Sequence, residues 1–199
     1  MITLYWCPNT RASRIMWLLE ETGLDYETKH IDIRDAEARK DPGFQAASPM
    51  GKVPAIADGD VTVADSAAIG LYIADRYPEA GLAPAVDDPA RGRYLFWMTY
   101  TPGCIEPAMM ETARGLEPNR ASSGWGDFGL MIETLEKGLG DGPWLLGEKF
   151  SAADVLNGSS VYFMKQFGML TGNATLDAYA ERCLARPAYQ RALARNEAT

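Results

Sequence analysis

Three short stretches carry residue types that do chemistry. The first is Cys7-Pro8-Asn9-Thr10, between an apolar run, Ile2–Trp6, and an amphipathic stretch, residues 11–22. A thiol or hydroxyl in that place faces a helix N-terminus, whose free N–H groups and dipole favour a thiolate. Cys7 also reads as a small buried side chain ending a strand. The second is Ser48-Pro49-Met50-Gly51-Lys52-Val53-Pro54. Pro54 forces Val53 into an extended backbone. With a cis bond before Pro54, the Val53 N–H and C=O stay free at a sheet edge, where a peptide-like ligand pairs by strand addition; with a trans bond the segment is an ordinary turn. The third is Asp65-Ser66, at a strand end and a helix start. These residues read as a simple N-cap. They read also as a zwitterion site, the helix amides and the Ser66 hydroxyl holding a carboxylate and Asp65 an ammonium.

Composition narrows the chemistry available. The chain has 199 residues, a span that fits one large domain or two small ones. It carries 19 basic and 27 acidic residues, a net charge of −8. That balance disfavours nucleic acid or an anionic membrane as partner. A single histidine, His30, excludes a His-cluster metal site, and three cysteines without a C-x-x-C pair suggest neither a zinc site nor a disulfide framework. No metal is expected. The unpaired thiols fit a reducing cytoplasm. The first residues lack the basic start and long apolar run of a secretion signal. No window approaches the roughly 18 apolar residues of a membrane-spanning helix. The chemistry must then come from one thiol, from hydroxyls, from backbone groups or from a borrowed molecule.

The elements that position these residues follow from periodicity. Ile2–Trp6 reads as a strand; residues 11–22 read as a helix with Ile15, Leu18 and Leu19 on one face and Gly23 as its C-cap. Residues 26–33 read as a second strand, and residues 36–40 as a short helix broken by Pro42-Gly43. Residues 54–57 and Val61–Ala64 form a hairpin about Asp58-Gly59-Asp60, and residues 65–77 a helix with Ile69, Tyr72 and Ile73 on one face. The order is βαβ, then ββα. Residues 78–88 read as a Pro/Gly-rich linker, and the stretches 90–115, 122–139, 151–167, 175–185 and 187–195 as helices. Pro102-Gly103 and Pro107 are expected to bend or break the first of them. Ser151-Ala152-Ala153-Asp154 has the form of a capping box.

Taken together, a thiol site, a Val-Pro edge strand and a zwitterion-binding helix start suit a small peptide with an amino-acid end and a thiol, which describes glutathione. At this point the chain resembles the cytosolic glutathione transferases of bacterial type. The stretch from Phe44 to Ile56, followed by Asp65-Ser66-Ala67-Ala68-Ile69, carries the resemblance, and Phe150-Ser151-Ala152-Ala153-Asp154 matches the capping-box helix of that family. It extends over nearly the whole chain. It implies a thioredoxin-like α/β N-terminal domain, residues 1–77, that binds glutathione, a linker at 78–88 and an all-α domain at 89–199. It implies a cis Pro54, Val53 paired with the cysteinyl backbone of glutathione, Asp65 and Ser66 on its γ-glutamyl group, and Lys52 beside its carboxylate region. Glutathione is then a co-substrate, the protein a cytoplasmic homodimer, and the second substrate a small hydrophobic electrophile bound between the domains. Tyr100, Cys104 and Met110 are candidates for that pocket's lining, although an aromatic and Met stripe also reads as core.

The residue that activates the thiol stays open, as does the class. Counted back from Arg14, Cys7 falls where omega-class enzymes have their cysteine and zeta-class enzymes their first serine, and Thr10 where delta-class enzymes have serine; Trp6 falls near the tyrosine of tyrosine-type classes. If Thr10 acts, its hydroxyl donates to the glutathione sulfur and favours the thiolate. If Cys7 acts, it forms a mixed disulfide with glutathione and the enzyme is a thiol transferase. Asn9 is a donor in either case. A zeta-like isomerase and a non-catalytic ligand-binding protein are the other readings. Ser48 and Asn157 depart from the usual Asn and Gly of the family.

Overall fold

The computed structural model describes residues 1–197, which divide into two units: Met1–Ala80 with the chain from Arg186 onward, and Gly81–Ala185. The first unit holds β1 (Ile2–Trp6), α1 (Ala12–Thr22), β2 (Tyr26–His30), α2 (Pro42–Ala47), β3 (Ala55–Asp58), β4 (Val61–Ala64) and α3 (Ser66–Arg76). The strands form one mixed sheet in the order β2-β1-β3-β4. β1 and β2 run parallel, as a βαβ crossover through α1 requires, and β1–β3 and β3–β4 run antiparallel. β1 is buried along nearly its whole length, because it is central and α1 and α3 pack with the sheet. Ile15, Leu18 and Leu19 of α1 and Ile69 and Ile73 of α3 are fully buried with Leu4 and Ile56. This is the thioredoxin-like arrangement expected from the sequence.

Local chemistry explains where the observed elements depart from the expected ones. β2 stops at His30, and Ile31 still donates its N–H to the Trp6 carbonyl at 2.8 Å. The short helix before Pro42 is a single 3-10 turn, Ala38–Lys40. Pro42-Gly43 does not end it but opens α2: proline is favoured at the first helical position, and Asp41 caps the helix by accepting the Phe44 N–H at 2.9 Å.

The second unit is helical: α4 (Arg91–Tyr100), a π-helical segment (Thr101–Ile105), α5 (Glu106–Ala113), α6 (Phe128–Leu139), α7 (Ala152–Gln166) and α8 (Ala174–Leu184). The prolines at 102 and 107 do not break the first helix. Pro102 lacks the N–H that an α-turn directs four residues back, and the helix widens into the π segment and continues. α6 starts later than the expected residue 122, where Asp127 accepts the Leu130 N–H at 2.7 Å. α7 runs through the core, with residues 152–161 all buried. Its capping box forms: the Asp154 carboxylate accepts the Ser151 N–H at 2.9 Å, together with the Leu145 N–H and the Tyr179 hydroxyl.

The last helix, α9 (Pro187–Glu197), which the expected division at residue 89 assigns to the helical domain, groups with the first unit. It packs on α1 instead. Arg186, just before it, makes a bidentate pair with Glu21 at 2.6 and 2.7 Å, Arg191 and Arg195 both reach Glu20 at 2.8 Å, and the Tyr189 ring meets Trp17 edge to face.

Candidate functional site

The sheet register gathers the three stretches singled out from the sequence. Tyr5 of β1 lies opposite Ala55 of β3, and Ala55 opposite Ala64 of β4. That row lies at the C-terminal ends of β1 and β4 and the N-terminal start of β3. Cys7 follows it on one strand, Val53-Pro54 precedes it on the next, and Asp65-Ser66 follows it on the third. Neighbouring strands are roughly 4.8 Å apart, so the row spans about 10 Å, the length of a small peptide.

The turn after β1 is tightly bonded. The Thr10 hydroxyl donates to the Cys7 carbonyl at 2.6 Å and accepts the Ala12 N–H at 3.2 Å, which starts α1 without a capping side chain at Arg11. The Ser13 hydroxyl donates to the Thr10 carbonyl at 2.9 Å. Asn9 crosses the reversal at φ 58°, in the left-handed region that asparagine tolerates, and is exposed. The Cys7 side chain is buried and Thr10 is half-buried.

The Val53–Pro54 bond is cis. The loop before it is closed by Ser48, whose hydroxyl donates to the Lys52 carbonyl at 2.7 Å and accepts the Lys52 N–H at 2.9 Å. A serine hydroxyl supplies both a donor and an acceptor, so it bridges both main-chain groups of Lys52. Val53 is buried, Lys52 is exposed, and β3 pairing begins only at Ala55.

Asp65 holds φ 77°, a value that L-residues rarely adopt. Its Oδ1 accepts the Ala67 and Ala68 N–H groups at 2.8 and 3.3 Å and caps α3. The Ser66 hydroxyl beside it is buried and has no hydrogen-bond partner among the described residues. Buried hydroxyls are normally satisfied, and an unpaired one at a helix start is suited to receive a ligand's anionic group.

A groove of about 440 Å³ lies beside the 48–51 loop, lined by Arg39, Lys40, Gln45 and that loop. The two cations were not among the candidates read from the sequence; Ala-Arg-Lys ahead of a helix-opening Asp-Pro was the available signal. α2 comes close to β1 here: the Tyr5 hydroxyl occupies the space that a Cβ on Gly43 would fill. Lys29 pairs with Asp41 at 2.5 Å, and this cation holds the Asp41 carboxyl below its ordinary range.

The candidates for the second-substrate wall are placed less uniformly. Tyr100 is buried and its hydroxyl donates to the Met131 carbonyl at 2.9 Å; burial pushes it up to about 12. Cys104 sits one turn on, in the π segment, half-buried, and burial raises its thiol. Met110, on α5, is exposed.

No helix among the described residues is long and apolar enough to cross a membrane. No group of three or more His, Cys, Asp or Glu among them is arranged to hold a metal ion.

Comparison with known proteins adds four findings. A family model described as the glutathione S-transferase N-terminal domain matches residues 1–75. Glutathione S-transferase F7 of Arabidopsis thaliana is 42% identical over 168 residues, covering 74% of this chain and 75% of its own. Among solved structures, a glutathione transferase of Methylococcus capsulatus strain Bath matches with a TM-score of 0.84 at 27% identity over 100% of both chains. A sphingomonad glutathione S-transferase complexed with glutathione matches with a TM-score of 0.80 at 27% identity, over 99% of this chain and 100% of that one.

Proposed function

The chain belongs to the glutathione S-transferase family, and from that premise we propose that it binds glutathione at the β1–β3–β4 end of its sheet and activates the thiol for attack on a hydrophobic electrophile. The observation that carries the reading is the strained Asp65 cap beside the unpartnered Ser66 hydroxyl, in line with the cis Val53–Pro54 bond. The Val53 main chain pairs with the cysteinyl backbone by strand addition. Ser66 and the first amides of α3 take the γ-glutamyl carboxylate, and Asp65, whose Oδ2 is not used in the cap, takes its ammonium. Lys52, with Arg39 and Lys40 along the adjoining groove, faces the glycine carboxylate. This places the sulfur toward Cys7 and Thr10, where the α1 amides favour the thiolate and Asn9 is a further donor. Tyr100, Cys104 and Met110 are proposed for the electrophile side.

A second reading is thiol transfer through Cys7, and the commitment of the Thr10 proton to the Cys7 carbonyl favours it. The Cys7 thiolate attacks the glutathione sulfur of a mixed disulfide and expels the other thiolate. A second glutathione thiolate then attacks the Cys7–glutathione disulfide, regenerating Cys7 and releasing oxidised glutathione.

We further propose a homodimer, to which α4 would contribute its exposed Leu95 and Phe96, and operation in the cytoplasm, where free thiols persist. Calorimetry with reduced glutathione tests the core of the reading, one site per chain being expected. Asp65→Asn keeps the cap acceptor but removes the charge, so affinity should fall at least roughly tenfold with little change in thermal stability. Absence of glutathione binding by the unaltered protein would sink both catalytic readings.

A further inference from the structure

Asn157 lies in the middle of α7 with no exposed surface. Its amide Nδ2 donates twice, to the Ala153 carbonyl of its own helix and to the Trp97 carbonyl of α4, both at 2.8 Å. Trp97 stands four residues before Thr101, the residue whose N–H an unbroken α-helix directs at that carbonyl. The helix is α through Tyr100, and past that residue it no longer continues as α. It widens into the π segment, and the Glu106 N–H reaches the Thr101 carbonyl five residues back. Pro102, inside the segment, has no N–H to give to the Met98 carbonyl four residues back, the next carbonyl after that of Trp97. The cross-helix bond from Asn157 therefore holds a main-chain oxygen in the last α turn before the π segment, in a core where water is excluded. The Trp97 ring is fixed independently, because it fills the space beside Gly138 of α6 where a Cβ would stand.

The choice of asparagine is not explained by packing. Its Oδ1 and the nearby helix's Thr101 hydroxyl are both buried without a hydrogen-bond partner among the described residues. Buried polar atoms in that state destabilise a core relative to an apolar residue of the same size. What the amide supplies in return is direction: a donor anchored on its own helix that ties α7 to a carbonyl in the last α turn before the π segment.

We infer that Asn157 is a positioning residue: acting through the Trp97 carbonyl, it sets the register of the Thr101–Ile105 π segment and so the presentation of Tyr100 and Cys104 to the electrophile. This rests on the proposed assignment of those two residues to the electrophile side. A π turn rotates every residue after it relative to an α-helix, so losing it turns Cys104 to a different face.

Two variants test this. Asn157→Ala removes the clip. Pro102→Ala restores the missing N–H and lets the segment relax toward an α-helix, with Asn157 in place. Two readouts are needed: the rate of Cys104 alkylation by iodoacetamide, located by mass spectrometry, and the KM for the electrophile alongside the affinity for glutathione. Both variants are expected to change the alkylation rate at least fivefold in the same direction and to raise the electrophile KM at least fivefold, with glutathione affinity within twofold. The double variant should show no more than the larger single effect, because both act on one element. If Asn157→Ala does not fold, Pro102→Ala alone carries the test. An unchanged alkylation rate in the folded variants overturns the inference. A changed rate with an unchanged electrophile KM upholds the positioning of Cys104 and overturns instead its assignment to the electrophile side.

Discussion

The Thr10 hydroxyl donates to the Cys7 carbonyl at 2.6 Å, so the two residues that compete for the thiol-activating role are bonded to each other. A hydroxyl has one proton. To donate to a ligand sulfur, Thr10 must turn away from Cys7, whereas a reacting Cys7 leaves the bond intact.

This relationship separates the two chemistries by substitution. Cys7→Ser should abolish deglutathionylation of a mixed disulfide while leaving at least half of the conjugation of an activated aryl chloride. Thr10→Val should slow conjugation about tenfold, as expected for loss of one hydrogen bond to a thiolate, and lower stability by roughly 1 kcal/mol. Loss of conjugation in Cys7→Ser would reverse the assignment.

The contact between Gly43 and Tyr5 gives a packing prediction. A methyl at Gly43 meets the Tyr5 hydroxyl, while the ring carbon behind it is at 3.5 Å, ordinary contact. Gly43→Ala should therefore cost about 1–3 kcal/mol in urea unfolding. Tyr5→Phe in the same chain should recover most of that loss. A Gly43→Ala protein as stable as the parent would show that α2 shifts freely on the sheet.

α9 is held to α1 by charge. The Glu21 side chain is only 7% exposed and Arg186 28%. Removing Arg186 leaves a carboxylate buried without its cation, so Arg186→Ala should destabilise the protein by about 3 kcal/mol. The double variant Glu21→Gln with Arg186→Gln should be more stable than Arg186→Ala. Equal stability of Arg186→Ala and the parent would mean that the pair contributes nothing.

Asp154 makes stability depend on pH. Burial pushes its carboxyl up to about 6, against the pull of its hydrogen-bond donors, from an ordinary value of 3.8. The folded chain then holds this proton more tightly than the unfolded chain. The group favours the folded state most fully below about pH 4, and that contribution is lost as pH rises through about 6. It is on the order of 3 kcal/mol. Asp154→Asn does not titrate, so the stability difference, parent minus variant, should shrink by that amount between pH 4 and pH 7. A difference that grows with pH would contradict the shift.

The sequence by itself determined the elements and the type of ligand. Helical and alternating periods, the Asp-Gly hairpin turn, Ser48 to Pro54 and Asp65-Ser66 are all local patterns, each set by a few adjacent residues. The family followed from those stretches. Pro42 is ambiguous in the sequence because proline both stops a helix and starts one, and the Asp41 cap decides which. The tertiary structure decided what depends on distant partners. It aligned Tyr5, Ala55 and Ala64 so that three separate motifs lie at one end of the sheet. It returned α9 to α1 through Arg186 and Glu21, 165 residues apart. It tied Asn157 to Trp97 across 60 residues. Periodicity reports which face of an element is apolar, but not which buried charge or carbonyl on another element it must satisfy, and in this chain those long-range polar pairings place the last helix and shape the second unit's π segment.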